Sequence, residues 1–146
     1  MDTTLDTRPS LTIKRRIKGP PAQVFAAWTD PEKIVRWFGP KGASDVKANL
    51  DVRSGGRFRI TFRTPEDASN DVSGIYREVV VGKKLVFTWA WKSMPERESL
   101  VTVTVAPDGA GTLLTFIHEH FVDEAARDAH REGWNGALDK IEAMFA

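Results

Sequence analysis

The segment from Trp28 to Pro40 constrains the fold most, because it places two helix signals and three large aromatic side chains between two predicted strands. Asp30 can cap a helix by accepting backbone N–H bonds, Pro31 suits the first helical position, and a Gly-Pro pair ends the run. We predict a short helix that ends in Trp37 and Phe38. Such a helix cannot bury both rings itself, so they must pack against a concave surface formed by the rest of the chain.

The length of 146 residues is typical of a single domain with a substantial core. Residues 1–10 are mostly polar and resemble a frayed terminus, so we expect a flexible N-terminus at 1–10 and one domain at 11–146.

The charge balance and the composition exclude several classes of function. A formal charge of +1, from 21 basic and 20 acidic residues, provides no field that would attract nucleic acid or an anionic membrane. The absence of cysteine excludes disulfides, thiolate metal sites and cysteine nucleophiles. No apolar run approaches the roughly 18 residues of a membrane span. We therefore expect a cytoplasmic protein that neither binds nucleic acid nor inserts into a membrane.

Alternation of apolar and polar residues predicts a series of strands with short connections. The predicted strands are 11–17, 46–52, 57–63, 71–81, 85–91, 99–106 and 112–120. Helices are predicted at 22–28, after Asp30, and from Asp123 to the end of the chain, where an apolar stripe includes Trp134 and Leu138. This order predicts an α+β fold in which a curved antiparallel sheet of about six to seven strands packs against the long C-terminal helix.

Six local motifs in this order resemble the START-like, or birch-pollen-allergen-like, superfamily. Within it, they resemble the family named for the activator of the heat-shock-protein-90 ATPase. The motifs span almost the whole chain from about residue 11, and they are the Gly-Pro-Pro-Ala-Gln-Val-Phe run at 19–25, the segment 29–40, Gly-Gly-Arg-Phe at 55–58, Leu-Val-Phe-Thr-Trp at 85–89, Gly-Thr-Leu-Leu-Thr at 111–115, and His-Glu-His-Phe at 118–121 with His-Arg-Glu-Gly-Trp at 130–134.

The resemblance implies a helix-grip fold with a cavity between the long helix and the sheet. Members of the superfamily bind lipids, sterols, plant hormones or polyketides in that cavity. Some are polyketide cyclases or aromatases, and the eukaryotic namesake stimulates a chaperone ATPase. The chain departs from the family pattern at His120, where relatives tend to carry glycine.

Aromatic and polar side chains on the predicted inner faces are the candidate ligand-binding residues. An aromatic-lined pocket with a few polar groups is the usual form of a small-molecule site, although the same rings can simply fill a core. The candidate set is Trp37, Phe38, Phe58, Phe62, Tyr76, Phe87, Trp89, Phe116, His118, His120, His130, Trp134 and Leu138.

The three histidines are expected to converge at one end of the cavity. His118 and His120 are two residues apart on a predicted strand and so share a face, while His130 lies on the helical stripe four residues before Trp134. They could orient a ligand, act as general acid or base, form structural hydrogen bonds, or hold zinc. We predict no metal and no cofactor, because their spacing matches no established zinc pattern.

Three hypotheses about function follow. The leading one is a non-enzymatic module that binds a small apolar or aromatic molecule in the cavity, as a monomer or homodimer. The second is a cyclase, dehydratase or hydrolase acting on a polyketide-like substrate, with His118 or His120 as the acid or base. The third is a chaperone-interacting module that docks a protein partner through the arginine row Arg57, Arg59 and Arg63 or through an exposed helix.

Overall fold

The computed structural model of the protein describes residues 6–66 and 68–146. The elements of this part, in chain order, are β1 Leu11–Ile17, α1 Pro21–Thr29, α2 Pro31–Ile34, β2 Ser44–Leu50, β3 Arg57–Arg63, β4 Ser69–Val80, β5 Lys84–Trp91, β6 Ser99–Asp108, β7 Gly111–Glu119 and α3 Glu124–Met144. Half of the N-terminus predicted to be flexible, residues 1–5, lies outside the described residues. In the other half, Pro9 accepts a backbone hydrogen bond from Phe121 (3.1 Å).

The strands form one antiparallel sheet in the order β1-β7-β6-β5-β4-β3-β2. From β2 to β7 every strand pairs with its successor in sequence, and β1 closes the far edge by pairing with β7, with Ile13 opposite Phe116. The α+β fold predicted from the order of elements is confirmed. None of the helices in the described ranges combines the length and apolarity needed to cross a membrane.

Alternation along the strands gives the sheet one buried face and one exposed face. In β3, Phe58, Ile60 and Phe62 are buried, whereas Arg57 and Arg59, which alternate with them, are exposed. Arg59 pairs with Asp71 on the outer face (2.7 Å). The apolar side chains of the inner face therefore point toward the helices and form the core.

Helix α3 covers that inner face with its apolar stripe of Trp134, Ala137, Leu138 and Ile141, all buried. Asp123 caps the helix by accepting a hydrogen bond from the backbone N–H of Ala126 (2.8 Å). The far end of the stripe is tied to β1, because Arg15 donates hydrogen bonds to Asp139 (2.6 Å) and Asn135 (2.9 Å). The sheet thus grips the helix along its length.

The boundaries differ from the prediction at two places that matter for the site. Helix α2 ends at Ile34, so Trp37 and Phe38 lie in the turn that follows it rather than in the helix. Asp30 caps α2 as predicted, accepting from the N–H of Glu32 (2.9 Å). The turn still buries Trp37 completely, and its indole N–H donates to the carbonyl of Ala27 (2.9 Å).

Strand β7 ends at Glu119, and His120 is not part of it. Its φ of 71° lies in the left-handed region, where glycine is the favoured residue. The alternation of the strand therefore stops before His120, and the prediction that it shares a strand face with His118 is wrong.

Candidate ligand-binding site

A cavity of about 470 Å³ opens between α3, the ends of strands β3 to β5 and two loops. Its volume falls within the range of roughly 300–1,000 Å³ that small-molecule sites occupy. The lining residues are Phe38, Gly39, Pro40, Lys41, Phe62, Thr64, Pro65, Glu66, Asn70, Trp89, Trp91, Ala129, His130, Glu132, Gly133, Trp134 and Ala137.

Some of the predicted site residues come together in the wall of this cavity. They are Phe38, Phe62, Trp89, His130 and Trp134. The rings contact one another edge to face: Phe38 lies 6.0 Å from Trp134 and 5.9 Å from Phe62 between centroids. These contacts give the cavity a continuous aromatic wall.

The other buried candidates pack into the core beside the cavity and do not line it. They are Trp37, Phe58, Tyr76, Phe87, Phe116, His118 and Leu138. Phe58, Tyr76 and Phe87 surround a void of only about 20 Å³, which is too small for an organic ligand. Burial raises the pKa of the Tyr76 phenol. Side chains therefore fill part of the predicted cavity, around Phe58, Tyr76 and Phe87, and the part around Trp89 and Trp134 is open.

Two loops, strands β4 and β5, and one face of α3 contribute cavity residues that were not in the predicted set. The loop residues Gly39–Lys41 and Thr64–Glu66 carry no sequence signal that would place them together. Trp91 does carry one, because alternation puts it on the same strand face as Trp89. The small residues Ala129, Gly133 and Ala137 of α3 follow one another at four-residue spacing, although only Ala137 belongs to the predicted apolar stripe, and their size leaves the space open.

His118 is fully buried and uses both ring nitrogens. The indole N–H of Trp134 donates to its Nδ1 (3.1 Å), and its Nε2 lies 2.7 Å from the hydroxyl of Ser99. Since Nδ1 accepts, the neutral ring carries its proton on Nε2 and donates to Ser99, which in turn donates to the carbonyl of Trp89 (3.3 Å). Burial, and to a lesser extent the neighbouring His130, lowers the pKa of His118 well below its ordinary value.

His130 holds a second tryptophan of the cavity in a similar way. Its Nε2 accepts from the indole N–H of Trp91 (2.9 Å), and its Nδ1 donates to the carbonyl of Ala126 (2.7 Å). Burial lowers the pKa of His130, partly offset by the bond to Ala126. His130, Trp89 and Trp91 line both the main cavity and a side pocket of about 50 Å³.

The three histidines do not converge as predicted. His118 and His130 are neighbours, with ring centroids 5.2 Å apart. His120 is partly exposed, with its Nε2 3.2 Å from Asp6 and 3.6 Å from Glu119, and it lines the side pocket with His130 but not the main cavity. Within the described ranges, no three histidine, aspartate or glutamate side chains are grouped so as to hold a metal ion.

Two polar atoms in residues of the cavity wall are buried without a hydrogen-bond partner among the described residues: the hydroxyl of Thr64 and the indole N–H of Trp89. A buried polar group without a partner costs about 1–3 kcal/mol. The other cavity tryptophans, Trp91 and Trp134, direct their N–H groups to histidines. Trp91 and Trp134 therefore offer a ligand their ring surfaces and no hydrogen-bond donor.

The loop at 39–42 rests directly on α3. Gly39 and Gly42 flank it at φ of 95° and 85°, and Lys140 donates to the carbonyl of Pro40 (3.2 Å). Partial burial lowers the pKa of Lys140. A Cβ atom at Gly136 would come within 2.8 Å of the backbone nitrogen of Lys41, so glycine permits this close approach.

The antiparallel sheet closed on a long C-terminal helix, with a cavity between them, defines a helix-grip domain. The chain belongs to the Activator of Hsp90 ATPase homolog 1-like protein family, whose model matches residues 18–146. The resemblance drawn from the six motifs is thereby confirmed. A comparison with curated proteins gave no match.

Solved structures of bacterial proteins share the fold over nearly the whole chain. Protein CV1439 of Chromobacterium violaceum is 25% identical, with a TM-score of 0.84 over 93% of this chain and 96% of that one. The AHSA1 protein of Silicibacter pomeroyi is 29% identical, with a TM-score of 0.83 over 93% and 96%. CalU16 of Micromonospora echinospora is 28% identical, with a TM-score of 0.69 over 93% of this chain and 74% of that one.

Proposed function

We propose that the protein binds a small aromatic or apolar molecule in the cavity between α3 and strands β3 to β5. The observation that carries the proposal is the aromatic wall of Phe38, Phe62, Trp89, Trp91 and Trp134 around about 470 Å³ of open space. Apolar concave sites with a few polar groups are the form in which proteins bind small molecules.

The hydrogen bonds of His118 favour binding over catalysis. A general acid or base must exchange a proton with the reacting group, yet both nitrogens of His118 are engaged inside the core. His120 is partly exposed and lines the side pocket of about 50 Å³ instead of the main cavity. Neither histidine therefore presents a free ring nitrogen to the main cavity, and the enzyme and chaperone-interaction hypotheses stay predictions.

Tryptophan fluorescence tests the proposal. The purified protein is titrated with a panel of naphthalene derivatives, flavonoids, fatty acids and sterols, and we expect saturable quenching by planar aromatic compounds. Ala129, an exposed residue at the edge of the cavity, is changed to phenylalanine to obstruct the cavity, and Ala143, a likewise exposed residue of the same helix outside the wall, receives the same substitution as a control. Binding should be weakened in Ala129→Phe and retained in Ala143→Phe. Equal binding by both variants would overturn the proposal.

A further inference from the structure

The cavity wall combines aromatic rings with polar side chains from several elements, which are Lys41 in the loop at 39–42, His130 and Glu132 on α3, and Thr64, Glu66 and Asn70 between β3 and the start of β4. Its tryptophans Trp91 and Trp134 have their N–H groups bonded to His130 and His118, so they present apolar surface to the cavity. The loop between β3 and β4 contributes Thr64, Pro65 and Glu66, and Asn70 follows at the start of β4. A ligand with an aromatic ring and a polar substituent matches a wall of this composition.

Thr64 stands out among the polar residues of the wall. Its hydroxyl is buried and has no hydrogen-bond partner among the described residues, although its backbone N–H donates to the carbonyl of Ala68 (3.0 Å). The local turn therefore depends on the backbone of Thr64 and gains nothing from its hydroxyl. Thr64 lines the main cavity and neither of the smaller ones. Rotation about χ1 exchanges the positions of the hydroxyl and the methyl group and can turn the hydroxyl toward a ligand.

We propose that Thr64 is a specificity-determining residue that hydrogen-bonds the polar end of an amphipathic planar aromatic ligand, such as a phenol or an aryl ketone, whose ring lies against Trp89 and Trp134. The inference deepens the proposed function and rests on it. A hydrogen bond that satisfies the hydroxyl contributes to affinity only for ligands that carry the matching group.

Two probes of matched shape test the inference: 2-naphthol and 2-methylnaphthalene, titrated by calorimetry or tryptophan fluorescence. The quantity measured is the preference for naphthol, defined as the Kd of the methyl compound divided by the Kd of naphthol. We expect Thr64→Val, which keeps the branched shape, to lower this preference by about 3- to 10-fold. Thr64→Ser, which keeps the hydroxyl, should preserve it.

The stability of Thr64→Val distinguishes a binding role from a structural one. Removing an unpaired buried hydroxyl should leave the melting temperature unchanged or raise it. A clear loss of stability would show that the hydroxyl has a structural partner and would overturn the inference. An unchanged preference in Thr64→Val, with both probes still bound, would also overturn it while leaving the proposed function intact. If neither probe saturates the wild-type protein, the proposed function fails for aromatic ligands and the inference fails with it.

Discussion

Trp134 donates its indole N–H to Nδ1 of His118, and the 3.1 Å bond joins the cavity wall to the core of the sheet. Through Nε2, His118 reaches Ser99 on the next strand, so one histidine links α3, β7 and β6. Because both nitrogens are engaged and the ring is fully buried, His118 positions Trp134 and has no free atom for proton transfer.

His118→Leu should lower the free energy of unfolding by about 2–4 kcal/mol, because it leaves the N–H of Trp134 without an acceptor in the core and removes the donor to the Ser99 hydroxyl. Urea denaturation monitored by circular dichroism measures the change. His120→Gly is the matched control: it removes the surface histidine and places glycine at a positive φ, so stability should change little or increase. A larger loss for His120→Gly than for His118→Leu would contradict the structure.

The free energy of unfolding should decrease as the pH is lowered below 6.5, the ordinary pKa of histidine, because burial lowers the pKa values of His118 and His130 in the folded state. Between pH 6.5 and those lowered pKa values, the unfolded chain binds more protons than the folded chain. The stability contributed by the two neutral histidines is therefore fully present above pH 6.5 and is lost as the pH falls through their folded-state pKa values. The slope should not exceed about 1.4 kcal/mol per pH unit for each histidine. The free energy of unfolding, measured between about pH 5 and pH 7.5, tests this expectation.

The double variant His118→Asn and His130→Asn is the control for that pH series. It should flatten the dependence near pH 6 even though it lowers stability overall, because asparagine does not titrate. A wild-type slope retained in the double variant would assign the effect to other groups.

Gly133→Ala and Gly136→Ala form a matched pair one helical turn apart in α3. A Cβ atom at position 133 meets only the Cβ of Pro40 at 4.0 Å, whereas one at position 136 comes within 2.8 Å of the backbone nitrogen of Lys41. Gly133→Ala should raise the free energy of unfolding by about 0.5–1 kcal/mol, the usual gain for glycine to alanine within a helix. Gly136→Ala should show no such gain, because its Cβ atom would displace the loop at 39–42. Equal gains for both variants, measured by thermal denaturation, would contradict the close seating of the loop.

The sequence predicted the fold well because its signals are local. Alternation such as that of Phe58, Ile60 and Phe62 defines strand faces, and the turn residues between strands allow few topologies. Asp30 and Asp123 marked two helix starts, and both side chains cap as expected. His120 departed from the pattern because the end of a strand depends on backbone conformation, which residue type alone does not specify.

The candidate site was only partly predictable, because a cavity depends on the packing of distant segments. Phe87 and Trp89 occupy the same strand face, yet the first faces a filled core and the second an open space. The difference arises from what lies opposite: small residues such as Gly133 and Ala137 leave room beside Trp89. The loop containing Thr64 reaches the cavity through tertiary folding, and the spacing of residues along the chain does not predict this position.

The indole N–H resonances of the five tryptophans provide the most direct test of the binding site. In a heteronuclear NMR titration with 2-naphthol, assigned through single Trp→Phe variants, we predict saturable shifts that are largest for Trp89, Trp91 and Trp134 in the cavity wall. Trp28 and Trp37, buried outside that wall, should shift least. Largest shifts at Trp28 and Trp37, or no saturable shift with any aromatic probe, would contradict the cavity as the site of ligand binding.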